Sequence, residues 1–330
     1  MSNYMFYHGK LRYDQPIFMP NDWKTHMLSR PMTQKIRLHD GQQMPVLVIG
    51  RGQPVIMLHG FGMDAALWLP FIAPFTRQYQ FYLPYLRGFG KASRVKPSQP
   101  DFIEDYVLDI AAMRQQLGLD QVILAGVSMG ALLSLKLHAA GQFAGVLRYL
   151  HIDQSPVIPH KSDWSHGVFG ERQAETFAQF RGLIARAQPH LHLPHQQIPA
   201  HLKRELLQNL ADFVNETVHS CTQRRLLKPL SRFPQLMQYA MPMQGWSTLI
   251  HGMQAYIEQG YDLRDTLADM QVPVTVFSGA RSRLYAVEGQ TRFTEMLPNG
   301  RQVIFAQSGH MPMLDQPLMF VREFGRFLRG

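Results

Sequence analysis

Val122-Ile123-Leu124-Ala125-Gly126-Val127-Ser128-Met129-Gly130-Ala131-Leu132-Leu133-Ser134-Leu135 is the stretch on which the reading of this chain turns. Val122 to Ala125 is an apolar run of strand length, and the residues from Ala131 onward favour a helix. Between them stands Gly126-x-Ser128-x-Gly130. Small flanking residues let a chain turn sharply enough to hold a strained serine at a helix N-terminus with its hydroxyl exposed. The five residues alone are a weak signal, because small residues are common at strand-to-helix turns. With a strand before them and a helix after, they point to a nucleophile. The competing reading is a tight turn without chemistry.

Working outward, the pattern Ile36, Leu38, Val46, Val48 around Asp40-Gly41 predicts a hairpin over Gln34–Gly50. Apolar runs then recur at Val55–Leu58, Phe81–Leu86, Val122–Val127 and Val146–Ile152 with helical stretches between them. Strands alternating with helices imply a mainly parallel sheet covered on both faces. The alternation resumes with a strand at Val274–Phe277, a helix near Glu288–Leu297, a strand at Val303–Phe305 and a closing helix over Pro317–Leu328. Residues 156–260 interrupt it with helix-like stretches such as Ala174–Ala187 and Leu202–Val218. The expected fold is α/β, a doubly wound, mostly parallel sheet with an inserted helical cap. Its expected parts are an arm over 1–32, a core over 33–155 and 261–330, and a cap over 156–260.

Composition narrows the function classes. Of 330 residues 45% are hydrophobic and 17% charged, enough apolar side chain for a sizeable core and unlike a disordered chain. The formal charge of +9 is spread along the sequence without a basic run, which argues against nucleic acid as a partner. Weak attraction to anionic surfaces or substrates is the better reading of that charge. The single cysteine, Cys221, excludes an intrachain disulfide. Met1 to Lys10 show no cationic stretch followed by an apolar one, and no apolar stretch reaches membrane-spanning length, so a cytoplasmic protein without a transmembrane segment is expected.

Two further motifs join the serine. His59-Gly60-Phe61-Gly62 follows the strand Val55–Leu58, where a Gly-rich turn can aim a backbone N–H at a developing oxyanion. The amides of Phe61 and Met129 are the expected oxyanion donors, and losing one such donor costs ~3 kcal/mol of transition-state stabilisation. Ser308-Gly309-His310 follows the last strand, on a loop from which a histidine can reach back to Ser128. Among 15 histidines, His310 stands out only through that placement.

Taken together, the His-Gly-Phe-Gly turn, Arg87-Gly88-Phe89-Gly90, Gly-Val-Ser-Met-Gly and the late Gly-His resemble the α/β-hydrolase superfamily over roughly residues 33–155 and 261–330. The resemblance implies Ser128 as nucleophile, His310 as general base, and an acid lying between them in sequence. Family members usually carry that acid about three residues past the Gly that ends the strand after the cap. Here Gly279-Ala280-Arg281-Ser282-Arg283 offers no carboxylate. Asp153, at the end of Val146–Ile152, is the alternative acid position that some members use, and Glu288 is a weaker candidate. Ile152-Asp153-Gln154-Ser155-Pro156 resembles the esterase and cofactor-free haloperoxidase branch, where an aspartate here can be merely structural. Pro156 to Arg181 resembles the cap entry of haloalkane dehalogenases, but an alkylated serine would be an ether without an electrophilic carbonyl, so Ser128 favours acyl transfer. Tyr85 stands where the family commonly has aspartate.

Other signals carry less. His190, His192 and His195 lack an acidic or cysteine partner, and Pro194 breaks their spacing, so no metal and no cofactor are expected. Met243 and Trp246, with Met237, Met241, Met253, Phe233 and Tyr239, are candidates for a greasy acyl pocket, or else for ordinary packing. Asp105 and Asp109 share a helical face expected to be solvated. The expected activity is hydrolysis of a small-molecule apolar acyl ester through an acyl-enzyme on Ser128. The rivals are an acyltransferase on the same machinery and a non-catalytic small-molecule binder.

Overall fold

A computed structural model describes residues 31–220, 225, 228–229, 232–236 and 243–330. All but the end of the expected N-terminal arm, and with it Met237, Tyr239 and Met241, lie outside the described residues.

Eight strands form one sheet: β1 Met32–Arg37, β2 Gln43–Gly50, β3 Gln53–Leu58, β4 Tyr79–Pro84, β5 Val122–Val127, β6 Val146–Ile152, β7 Val274–Gly279 and β8 Gly300–Phe305. Their order is β1-β2-β4-β3-β5-β6-β7-β8. Strand β2 runs antiparallel to β1 and β4, and the remaining neighbours are parallel. The helices used below are α1 Phe102–Gln116, α2 Met129–Ala139, α3 Gln173–Ala187, α4 Ala200–Thr217, α5 Trp246–Glu258, α6 Val287–Glu295 and α7 Pro317–Arg329. The doubly wound sheet is therefore as expected.

Alternation along the strands builds two cores, one on each face of the sheet. Ile56, Leu58, Val122 and Leu124 join the cluster that holds Phe102 and Ile110 of α1, Leu132 and Leu135 of α2 and Phe293 of α6. Their neighbours Val55, Met57, Ile123 and Ala125 join the opposite cluster, with Trp68, Ile72, and Phe320 and Phe324 of α7. Central strands buried on both faces explain the unbroken apolar runs in the sequence. Between β6 and β7 the chain leaves the sheet and runs through α3, α4 and α5.

Strand β4 ends at Pro84, two residues earlier than its apolar run. Leu86 leaves the ladder because its N–H donates to His59 Nε2 at 3.1 Å. The next residue corrects another expectation: the α1 face carrying Asp105 and Asp109 is not solvated. Arg87, wholly buried, folds onto it, with Nε and Nη2 donating to the Asp109 carboxylate at 2.7 and 2.8 Å. Its Nη1 donates to Asp40 and to the Lys96 carbonyl oxygen. Asp105 accepts the backbone N–H groups of Ser98 (2.6 Å) and Gln99 (3.0 Å). Two buried carboxylates on one helix are tolerated because distant groups satisfy them, which helical periodicity alone cannot reveal.

Candidate active site

Sheet register sets the chemistry side by side. Val127 of β5 pairs with Ile152 of β6, and Ile152 pairs with Phe277 of β7. Ser128 and Asp153 are thus the first residues past the paired ends of adjacent strands, which lie about 4.8 Å apart. The Ser128 N–H donates to the Ile152 carbonyl oxygen and the Asp153 N–H to that of Phe277, each at 2.9 Å. Both residues have positive φ, 52° for Ser128 and 45° for Asp153. Such strain in a non-glycine residue persists only where the surroundings over-determine it. At Ser128 the flanking glycines supply the room: a Cβ on Gly126 would sit 2.3 Å from the Gly130 carbonyl oxygen, and one on Gly130 2.3 Å from that of Leu58.

His310 joins from the loop after β8. Its Nδ1 donates to Asp153 Oδ2 at 2.6 Å, and both side chains are buried. With its proton on Nδ1, the ring keeps a lone pair on Nε2, the form a general base needs. Among the described residues no hydrogen bond joins His310 to Ser128 Oγ. The Asp153 carboxylate accepts three more donors: Gly279 N–H (2.8 Å) and Gln290 Nε2 (2.7 Å) on Oδ1, and Ser282 Oγ (2.7 Å) on Oδ2. Glu288 is exposed in the first turn of α6.

The histidine loop is itself pinned. Asp315 accepts the N–H of Gly309 at 2.8 Å, and also those of His219 (2.9 Å) and Ser220 (2.8 Å), just past α4. Gly279 abuts the same loop so closely that a Cβ there would lie 1.8 Å from the Gly309 carbonyl oxygen. On the other side of Ser128, His59 is wholly buried. Because Nε2 accepts from Leu86, its proton sits on Nδ1, which donates to the Gly60 carbonyl oxygen at 2.8 Å. Burial lowers its pKa to about 4, keeping the ring neutral. The neutral ring thereby braces the turn that carries Phe61. The Phe61 N–H meets no backbone acceptor among the described residues. Met129 opens α2, so its N–H has no intrahelical acceptor.

Ser128 retains 8% exposure, and its open side borders a cavity. The walls are aromatic and aliphatic: Phe61, Phe169, Phe177, Phe180, Phe213 and Met253 among them, with Asn209, Tyr256 and Tyr285 as the polar-tipped members. Gly252 of α5 has no room for a Cβ, which would lie 2.4 Å from the Phe61 ring. Trp246 and Met243, expected to line a pocket, do not border this one. Both are buried in the core, and the Trp246 Nε1–H donates to the Leu193 carbonyl oxygen at 3.0 Å. They sit at or before the start of α5, whereas Met253 and Tyr256 further along that helix reach the cavity. Sequence reading missed Phe177 and Phe180 because their three-residue spacing on α3 is equally that of ordinary packing. No group of three or more His, Cys, Asp or Glu side chains could hold a metal among the described residues.

A family model described as the alpha/beta hydrolase fold matches residues 53–317. The chain belongs to the α/β-hydrolase fold family. It is 22% identical over 289 residues to a pimeloyl-[acyl-carrier protein] methyl ester esterase of Vibrio vulnificus, covering 84% of this chain and 95% of that one. To the protein of the same description from Xanthomonas axonopodis pv. citri it is 26% identical over 288 residues, covering 86% and 98%. An esterase structure from Exiguobacterium antarcticum superposes with a TM-score of 0.71 at 21% identity, covering 91% of this chain and all of the other. Related along most of its length to esterases, this α/β-hydrolase is a carboxylic ester hydrolase.

Proposed function

We propose that this α/β-hydrolase cleaves apolar acyl esters through an acyl-enzyme on Ser128. The observation that carries the reading is a strained serine opening on an apolar cavity, one strand from a buried His310–Asp153 pair. Ser128 Oγ attacks the ester carbonyl as His310 Nε2 takes its proton, and the Phe61 and Met129 N–H groups receive the oxyanion. Collapse breaks the ester C–O bond, and His310 returns the proton to the departing alkoxide, releasing the alcohol. Water, deprotonated by His310, then attacks the acyl carbonyl. Free acid leaves and the serine regains its proton. Asp153 holds the imidazole and stabilises its cation.

Residues 156–260, taken as a cap, contribute most of the walls, Phe177, Phe180, Phe213 and Met253 among them, and the core loops contribute the reacting groups. None of the lining side chains is a Lys, Arg, Asp or Glu, so the enclosed part of the substrate is an uncharged, hydrocarbon-like group. Methyl esters of longer acids, the kind of bond for which the sequence relatives are named, belong to that class. The apolar enclosure also favours a second reading, acyl transfer to an alcohol in place of water. Fluorophosphonate labelling of the wild type and Ser128→Ala, beside p-nitrophenyl ester turnover and product analysis with added alcohol, tests both. Labelling and turnover lost in Ser128→Ala support the serine nucleophile, whereas turnover retained near wild type refutes it. Ester product in excess of free acid would select transfer.

A further inference from the structure

The loop after β7 lacks a carboxylate, yet it is built around one. Ser282 stands three residues past Gly279, where the resemblance puts the acid. Its hydroxyl donates to Asp153 Oδ2 at 2.7 Å, the same oxygen that takes the His310 Nδ1–H at 2.6 Å. The Ser282 oxygen in turn accepts the N–H of Tyr285 at 3.3 Å. Tyr285 lines the cavity, and its ring centroid lies 5.9 Å from that of His310. An ionised carboxylate offers about four lone-pair sites, and the four donors on Asp153 fill them.

Gln290 and Gly279 act on Oδ1, the far oxygen. They satisfy the buried charge and, the carboxylate being rigid, restrain its rotation from the Oδ1 side. Ser282 shares Oδ2 with His310. Removing its hydroxyl leaves His310 alone on Oδ2 and loosens the carboxylate about its Cβ–Cγ bond, and small misplacements of a catalytic group are costly.

We propose that Ser282 is a positioning residue whose hydroxyl fixes the Asp153 carboxylate against His310 while anchoring the Tyr285 wall of the cavity. The proposal rests on the serine-hydrolase reading above. It is tested with Ser282→Ala, Ser282→Thr and Asp153→Asn, comparing kcat, KM and the downfield proton resonance of the His310 Nδ1–H. Loss of one hydrogen bond to a charged group lowers kcat of Ser282→Ala by about tenfold, leaves KM for a short ester nearly unchanged and moves the resonance upfield. Ser282→Thr, which keeps the hydroxyl, restores kcat and the resonance. If Ser282→Ala does not fold, Ser282→Cys, a much weaker donor, replaces it in the same comparison. Wild-type kcat in Asp153→Asn would refute the serine-hydrolase reading itself. With Asp153→Asn inactive, the positioning role is overturned by any of three results. These are an unchanged kcat in Ser282→Ala, a loss that Ser282→Thr does not recover, or a rise in KM alone with the resonance unmoved.

Discussion

Replacing Asp153 by Asn changes one oxygen to an amino group and little else in shape, yet the site has no place for it. Gly279 N–H and Gln290 Nε2 donate to one carboxylate oxygen, His310 Nδ1 and Ser282 Oγ to the other. Either amide orientation sets a donor against two donors. The less costly one keeps the amide oxygen toward Gly279 and Gln290, because the Ser282 hydroxyl can rotate to accept. His310 must then move its proton to Nε2 so that Nδ1 can accept from the amide. In that tautomer the ring cannot take the Ser128 proton. A comparable change in a serine protease costs ~10⁴-fold in kcat, about 5 kcal/mol of barrier. Folding stability falls by less, roughly 1.5–3 kcal/mol for one charge-assisted hydrogen bond. Steady-state hydrolysis of p-nitrophenyl butyrate, with a denaturant titration to confirm folding, measures both. An Asp153→Asn enzyme within tenfold of wild-type kcat would refute the tautomer argument and reduce Asp153 to a structural residue.

His59 and His151 are buried and neutral, with pKa values lowered by burial to about 4 from an ordinary 6.5. The unfolded chain therefore binds more protons than the native state between pH 6.5 and 4, so stability present above that window is lost as pH falls through it. Melting temperature should drop across this range by less in His151→Gln than in wild type, and equal slopes would exclude His151 as a contributor. At Phe180, in the cavity wall, replacement by Asn should raise KM more for octanoyl than for acetyl esters, each fully enclosed methylene being worth ~0.8 kcal/mol. A uniform change across chain lengths would place the acyl chain elsewhere. Arg87→Met strands the Asp109 carboxylate in the core and should destabilise the fold by about 3–5 kcal/mol in chemical denaturation. A loss under about 1 kcal/mol would mean that water or His39 takes over the pairing.

Much of this was legible in the sequence because the signals were local. Strand β5, the Gly-x-Ser-x-Gly turn and α2 are contiguous, so one stretch carries apolar run, turn chemistry and helix together. Asp153 could be singled out because the loop after Gly279 had no rival, and the structure joins its carboxylate to the His310 ring. What stayed hidden depends on residues far apart along the chain. Asp105 and Asp109 looked solvated because their partners lie in the segment after β4, and Ser282 looked inert until Asp153 stood beside it. Apolar pattern recognised helices between β6 and β7 but could not tell which apolar side chains face empty space. It picked out Met253, which faces the cavity, but also Trp246 and Met243, which pack, and it passed over Phe177 and Phe180.

The contact between Gly252 and Phe61 bears on how this protein could be redesigned. Helix α5 rests its glycine on the ring of the residue whose amide is assigned to the oxyanion, so the wall of the cavity and that donor move together. A library that varies α5 to reshape substrate preference will also displace the donor. Substitutions at Gly252, Met253 and Phe61 should therefore show strong epistasis, and a variant chosen for a new acyl group will need a second change at Phe61 before its turnover recovers.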